Sequence, residues 1–220
     1  MASSRIEIPP NSPIGGYLWP RKSDKSAEIQ MGVLLIGQPN HQIAIISAEI
    51  LLFNERLSKL ISSAFRKIGI QKTLFTASHS HSGPGGFGES GLERIVLGHD
   101  PDLVHKIALG AQAALRTALL KPLQPLFLSQ IQTNVLLRRT ASTEKLDDRI
   151  SIVQCGERHL WLMHAAHPVT ETDDLQINGD WPGLLIQSLK EKDFDEVLYA
   201  SSSGGEVSLA RAKGRAHTIK

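Results

Sequence analysis

The sequence lacks most features that would place it in a specialised class of protein. A single cysteine among 220 residues, Cys155, cannot form an internal disulfide, which excludes the disulfide scaffold typical of small secreted proteins. Lys and Arg total 24 against 22 for Asp and Glu, so a formal net charge of +2 does not indicate nucleic-acid or anionic-membrane binding. No apolar run approaches the roughly 18 residues of a membrane span, and the N-terminus has no apolar signal core. We therefore expect a soluble, cytoplasmic protein.

The composition is that of an ordinary globular protein, with 41% hydrophobic and 21% charged residues. A chain of this length can bury a substantial core. We predict one α/β domain over residues 1–210 and a basic, disordered tail over residues 211–220. Cys155 ends a β-branched run that predicts a strand, so we interpret it as a buried packing residue.

The first half of the chain predicts two paired strands followed by a strand-helix-strand unit. Residues 28–37 and 42–49 are apolar, β-branched runs separated by a short turn. Apolar residues then recur at helical spacing from residue 55 to residue 68, with Asn54 placed to cap the helix. Residues 73–77 predict a buried strand. If it runs parallel to its predecessor, its carboxyl end lies at the edge where α/β sheets place their functional sites.

The segment after that strand holds two histidines, His79 and His81, close to three glycines. Successive side chains of a strand point to opposite faces, so both imidazoles can serve one site only where the backbone turns. We expect the glycine and proline residues at positions 83–86 to supply this turn. Neutral imidazole is the commonest nitrogen ligand of zinc, so the pattern indicates a metal site.

The second half repeats the alternation of helices and strands. Asp100 followed by Pro101 predicts a helix start, and further strands are predicted at residues 126–135, 149–154, 159–165 and 196–200. The fold class predicted is α/β, a mixed β-sheet with flanking helices and a site at the carboxyl ends of strands. His164 and His167 follow an apolar strand in the same way as the first pair. Asp180 is placed to cap a helix that runs through Leu189, and a role in supporting a metal ligand is the alternative.

Residues 78–87, Ser-His-Ser-His-Ser-Gly-Pro-Gly-Gly-Phe, resemble the His-Thr-His-Ser-Gly-Pro-Gly-Gly signature of the neutral/alkaline (non-lysosomal) ceramidases. Other segments resemble the same family in the same order: the proline-rich opening that ends at Gly-Gly-Tyr, the Ala-His-Pro around His167, the Gly-Asp at Asp180, and residues 204–208. This resemblance implies a zinc-dependent amide hydrolase. It also implies that the proline-rich opening lies near the site.

The resemblance implies a role for five residues. His79 and His167 would bind zinc, while His81 would polarise the scissile carbonyl or stabilise the oxyanion. Arg139, with its neighbour Arg138 as the alternative, would assist in the pocket, and Ser208 would correspond to a serine implicated in catalysis. The chain departs from the family around that serine, because Glu206 replaces an aspartate and Leu209-Ala210 replace Pro-Asn.

The resemblance covers only the first half of the family's domain. The other zinc ligands of the family, a glutamate and a tyrosine, come from sequence beyond the last residue of this chain. Glu49, Asp180 or Glu206 could complete the metal site, and a homo-oligomer would offer ligands from a second subunit. The implied substrate is a small-molecule or lipid-like N-acyl amide, and a small soluble amide fits a cytoplasmic protein better than ceramide.

Two other functions stay open at this point. A truncated or degenerate homologue could keep the fold as a non-catalytic binding or interaction module. The glycine-rich loop could also cradle an anion, but the Lys and Ser/Thr of a P-loop are absent at the required spacing.

Overall fold

The computed structural model describes residues 1–17, 21–39, 41–133, 136–138, 146–170, 175–202 and 207–209. The strands are β1 (Ala2–Ile8), β2 (Pro13–Ile14), β3 (Arg21–Lys22), β4 (Ala27–Ile36), β5 (Ile43–Ala48), β6 (Lys72–Ala77), β7 (Leu126–Gln132), β8 (Leu136–Arg138), β9 (Arg149–Cys155), β10 (His159–His164), β11 (Glu196–Ser201) and β12 (Val207–Leu209). The helices are α1 (Glu55–Arg66), α2 (Gly91–Leu97), α3 (Pro101–Leu119) and α4 (Asp180–Lys190).

The first sheet has the strand order β1-β4-β5-β6. β4 and β5 are antiparallel, whereas β5 and β6 are parallel and joined by α1. The predicted strand pair and strand-helix-strand unit are therefore confirmed. The Asn54 side chain accepts a hydrogen bond from the Leu57 amide at 3.0 Å, which satisfies one of the amides left open at the start of α1.

The second sheet has the order β11-β10-β9-β7. β9 and β10, both predicted as strands, form an antiparallel hairpin, and β10 and β11 are parallel strands connected through α4. Each sheet therefore contains a parallel pair whose first strand leads into a helix. In such a pair the carboxyl ends of both strands lie at one edge of the sheet. The loop that follows β10 therefore leaves from the carboxyl edge of the second sheet.

The two sheets pack face to face. Leu34 and Ile45 of the first sheet share a buried cluster with Val153 and Leu198 of the second. Gly32 allows the close approach, because a Cβ at this position would lie 2.0 Å from Leu198 Cδ2. The alternate residues of the strands face outward into two further cores, one closed by α1 and α3 and the other by α4. The predicted α/β fold class, mixed sheets with flanking helices, is confirmed.

Hydrogen bonds between the sheets accompany this packing. The Gln30 Nε2 group donates to the Val197 carbonyl at 2.6 Å, and the Ser47 hydroxyl donates to the Tyr199 carbonyl. Both donor side chains are buried and take no part in the backbone hydrogen bonds of their own sheet. Since buried polar groups cost free energy when unpaired, these two bonds specify how the sheets align.

Three predictions about single elements have different outcomes. β6 was predicted as a buried strand, which is wrong: it is the last strand of its sheet, and Leu74 is 57% exposed. The short helix α2 was not predicted, because its seven residues form only about two turns, which is too short a window for a helical period to stand out. Cys155 is buried at the end of β9, as predicted. Within the described ranges no helix is both long and apolar enough to cross a bilayer.

Candidate metal centre

His79 lies directly beyond the carboxyl end of β6, and the chain turns at this residue. Its φ of 64° lies in the left-handed region, which a residue other than glycine rarely adopts. The sequence pattern placed the break at the glycines of residues 83–86, but the backbone has already turned at the first histidine. The His79 amide donates to the Ile50 carbonyl at 3.1 Å and anchors the turn to the end of the neighbouring strand.

The His79 ring is oriented by the main chain. Its Nδ1 lies 2.9 Å from the Leu51 carbonyl oxygen. A carbonyl oxygen can only accept a hydrogen bond, so Nδ1 carries the proton and Nε2 of the neutral ring keeps its lone pair. Such a bond from the far ring nitrogen is the usual way that proteins fix the tautomer of a metal-binding histidine.

His81 is held in the same manner by the N-terminal loop. Its Nδ1 lies 3.0 Å from the Gly16 carbonyl oxygen, and the Tyr17 ring packs edge-on with the ring centroids 6.5 Å apart. A Cβ at Gly16, where φ is +93°, would lie 2.9 Å from His81 Nδ1. Only glycine therefore fits this contact. The proline-rich opening lies beside the histidine loop, as expected.

His167 reaches the same place from the second sheet. It follows the end of β10 and is 8% exposed. Its ring centroid lies 5.1 Å from that of His79 and 4.9 Å from that of His81, while the rings of His79 and His81 are 5.3 Å apart. One nitrogen from each of the three rings lies within 4.8 Å of the other two.

The donor set suits a transition metal. Zinc binds imidazole nitrogen at about 2.0–2.1 Å and accepts three protein ligands with an open position for water. Two of the three rings have Nδ1 engaged with a carbonyl, which leaves Nε2 as the atom available to a metal. Three imidazoles at this spacing therefore fit a zinc site, whether the third ring binds the ion or stands beside it.

The glycines of the loop serve close packing. A Cβ at Gly83 would lie 2.9 Å from the Glu49 carbonyl oxygen, and one at Gly85 would lie 2.0 Å from the Leu97 carbonyl oxygen. The Gly15 amide donates to the Gly83 carbonyl at 2.9 Å, and the Gly85 amide donates to the Pro13 carbonyl at 2.8 Å. The glycines thus let the N-terminal loop lie directly against the histidine loop.

Arg139 and Glu206 lie outside the described residues. The backbone of β12 pairs with that of β8, which places Ser208 opposite Leu137. The backbone of Ser208 therefore lies beside a strand that ends one residue before Arg139 in the sequence.

Glu49 does not belong to the histidine group. Its carboxylate is buried and accepts a hydrogen bond from the Gln30 amide at 2.6 Å. Burial raises the pKa of the Glu49 carboxyl above its usual value, while the amide of Gln30 and the charge of Arg5 oppose this shift. Among the described residues only the three histidines meet as potential ligands.

Asp180 does not cap α4, so that prediction is wrong. The N-cap position is Gly179, and no side chain caps the helix. Asp180 is instead the first helical residue, with a φ of 54°. Its carboxylate accepts hydrogen bonds from Thr170 and from the Trp181 amide.

His164 has a structural environment. It is 3% exposed at the last position of β10, and its ring packs edge-on against Trp181 with the centroids 5.9 Å apart. Burial lowers the pKa of the His164 imidazole below its usual value, so the neutral ring is favoured. It lies outside the histidine group and is a core residue of the strand.

Sequence reasoning missed the groups that hold the site together. The Leu51 and Gly16 carbonyls are main-chain atoms, which any residue type could supply. Thr170 and Asn178 were not identified either, because single polar residues in loops are common. The one sequence signal for the contact with His81 was the Gly-Gly pair before Tyr17, because position 16 requires glycine.

Comparison with known proteins identifies structures with a similar fold. The structure is similar to neutral ceramidase from Pseudomonas aeruginosa, with a TM-score of 0.78 and 16% identity over 99% of this chain and 40% of that chain. It is also similar to a ceramidase complexed with C2, with a TM-score of 0.72 and 15% identity over 94% of this chain and 38% of that chain. No protein-family profile and no curated protein matches the sequence. The chain has the fold of part of a neutral ceramidase and spans about two fifths of the length of these proteins.

Proposed function

We propose that this chain is a ceramidase-like, zinc-dependent hydrolase that cleaves the amide bond of a small-molecule or lipid-like N-acyl amide. The observation that carries the proposal is the convergence of His79, His81 and His167 from the ends of strands in two different sheets. A ceramidase-like fold over nearly the whole chain supports it. The packing of the two sheets supports the assignment of residues 1–210 to one domain.

His79 and His167 are the proposed metal ligands. The hydrogen bond from His79 Nδ1 to the Leu51 carbonyl orients that ring before any metal binds. His167 is buried, so its ring has little freedom to lose on binding. A bound zinc ion would lower the pKa of a water molecule to about 7 and polarise the substrate carbonyl.

His81 is the proposed proton-carrying residue at the reacting carbonyl. Because its Nδ1 donates to the Gly16 carbonyl, Nε2 is the atom that accepts or donates a proton in the site. The backbone of residue 16 thus determines where that proton is delivered. Once Nε2 has accepted a proton, the ring becomes a fixed donor to the developing oxyanion and stabilises the transition state without reorganisation.

Arg139 and Ser208 complete the proposed site. The pairing of β8 with β12 supports their inclusion, because it brings the backbone of Ser208 beside the strand that directly precedes Arg139. A guanidinium at this position would bind an oxyanion or a carboxylate in a bidentate manner.

The proposed activity is tested by assaying the purified chain with a fluorogenic water-soluble N-acyl amide and, in parallel, with a short-chain ceramide. We expect amide hydrolysis that a chelator abolishes and that added zinc restores. Hydrolysis that survives complete removal of metal would contradict the proposed mechanism. No hydrolysis of either substrate class by the zinc-loaded protein would contradict the proposed activity and favour a non-catalytic binding module.

A further inference from the structure

We propose that the turn formed by Asn178, Gly179 and Asp180 positions both histidine-bearing loops, and that Asp180 is the positioning residue for His167. This inference rests on the proposed metal site. In this inference the turn aligns the imidazoles. The turn itself is not proposed to contact substrate or metal.

The Asp180 carboxylate binds the loop that carries His167. Thr170 donates from its amide to Oδ2 at 3.0 Å and from its hydroxyl to Oδ1 at 2.7 Å. Asp180 is 3% exposed, so water competes little for these bonds. Since Thr170 follows His167 by three residues, the carboxylate restrains the end of the segment on which that imidazole stands.

Asn178 binds the other histidine loop. Its amide donates to the Ser82 carbonyl at 2.9 Å, and its carbonyl accepts from the Ser80 hydroxyl at 3.1 Å. Ser80 lies between the two histidines of the loop and is fully buried. The residues on either side of His81 are therefore tied to the turn.

The turn itself is rigid. The Asp180 amide donates to Asn178 Oδ1 at 2.7 Å, and Asp180 adopts a φ of 54° although it is not glycine. A Cβ at Gly179 would lie 2.6 Å from Glu49 Oε1 and 2.9 Å from the Gly183 Cα atom. One rigid turn thus contacts the loop from the first sheet through Asn178 and the loop from the second sheet through Asp180.

An isosteric change separates this role from general packing. The two carboxylate oxygens of Asp180 accept hydrogen bonds from the Thr170 hydroxyl, the Thr170 amide and the Trp181 amide. Asparagine keeps the shape of this side chain but replaces one of the two oxygens with an NH₂ group. The NH₂ group must then face a donor. We expect the Thr170 segment to detach while the fold is kept.

The test compares Asp180→Asn and Thr170→Val with two matched controls. Asp100→Asn changes another aspartate at a helix start, whose carboxylate accepts from the Leu103 amide at 3.0 Å. Thr133→Val removes a similar hydroxyl bond, donated to the Asp148 carbonyl at 2.7 Å. Zinc affinity is measured by calorimetry, and amide hydrogen exchange of residues 165–170 is measured in the metal-free protein.

We expect Asp180→Asn and Thr170→Val to weaken zinc binding by about tenfold or more and to accelerate exchange in residues 165–170, with β10 still protected. Both controls should bind zinc as the unaltered protein does, even where Asp100→Asn lowers the unfolding temperature. Unchanged zinc affinity and unchanged exchange in Asp180→Asn would overturn the inference and leave the metal site standing. If the unaltered protein binds no zinc, the proposed function fails, and the exchange measurement alone decides whether the turn positions this loop.

Discussion

The imidazoles of His79 and His167 lie with their ring centroids 5.1 Å apart, although the two residues follow strands of different sheets. Neither sheet alone contains both rings. The candidate metal centre therefore depends on the face-to-face packing of the sheets, and changes in that packing should affect metal binding.

Gly16→Ala should damage the site through His81. The new Cβ would lie 2.9 Å from His81 Nδ1, at a backbone φ of +93°. We expect a loss of stability of about 1–2 kcal/mol from the left-handed conformation alone, with a further loss from the displaced ring. Chemical denaturation measures the stability, and the amide hydrolysis assay measures the effect on the site.

Gly69→Ala is the matched control for this variant. Gly69 has a φ of +95°, and no atom lies within 4 Å of a Cβ built there. It should therefore show the cost of the backbone conformation without the clash, and hydrolysis should be unchanged. Equal effects of the two variants on both stability and hydrolysis would show that the contact with His81 is unimportant.

His81→Ala should separate metal binding from catalysis. If His79 and His167 are the ligands and His81 carries the proton, the variant keeps its zinc and loses hydrolysis by about 10²-fold or more. Zinc content is measured by mass spectrometry of the metal, and hydrolysis is measured on the same sample. Loss of zinc in this variant would show instead that His81 is a third ligand.

Much of the fold could be predicted because its signals are local. Asn54 and Asp100 cap helices through bonds to residues three positions away, and both caps are visible in the sequence. The convergence of His167 on His79 is not local, since it depends on how Leu34 and Leu198 pack between the sheets. The site residues were therefore assigned by resemblance to a family, whereas their geometry required the structure.

The failed predictions have similar physical reasons. Asp180 looked like a helix cap because aspartate before an apolar run usually caps, but its carboxylate instead accepts hydrogen bonds from the loop residue Thr170. β6 looked buried because its residues are apolar, yet it lies at the edge of its sheet. Strand order is set by long-range pairing, which a single sequence does not reveal.

Glu49→Gln should change how stability depends on pH. Burial raises the folded-state pKa of the Glu49 carboxyl above its reference value of 4.5. Between these two pKa values the folded state holds a proton that the unfolded state has released, so stability falls as pH rises through this range. The variant has no proton to lose, and its free energy of unfolding should fall less over the same range.

Urea unfolding at a series of pH values from 4 to 8 measures this difference. Glu28→Gln is the control, because Glu28 is exposed on the strand that also carries Gln30. Its pH dependence should match that of the unaltered protein. Parallel curves for Glu49→Gln and the unaltered protein would contradict a raised pKa at Glu49.

Gly32→Ala should weaken metal binding from a distance. The added Cβ would lie 2.0 Å from Leu198 Cδ2, so the sheets must separate or the leucine must move. We expect a loss of stability of about 1–3 kcal/mol and weaker zinc binding. Leu198→Ala in the same protein should restore part of both, since it frees the space. Full zinc affinity in the destabilised single variant would show that the site tolerates changes in sheet spacing.

The most direct test of the account is the zinc content of the purified protein and of His79→Ala, His167→Ala and His99→Ala, each dialysed against excess zinc without a chelator. His99 is the control, because its Nδ1 also lies 2.9 Å from a backbone carbonyl, that of Gly88, but it lies outside the histidine group. We predict an equimolar amount of zinc in the unaltered protein and in His99→Ala, and its loss in the other two variants. An unaltered protein that retains no zinc, or zinc that remains when His79 and His167 are each removed, would contradict the proposed metal centre.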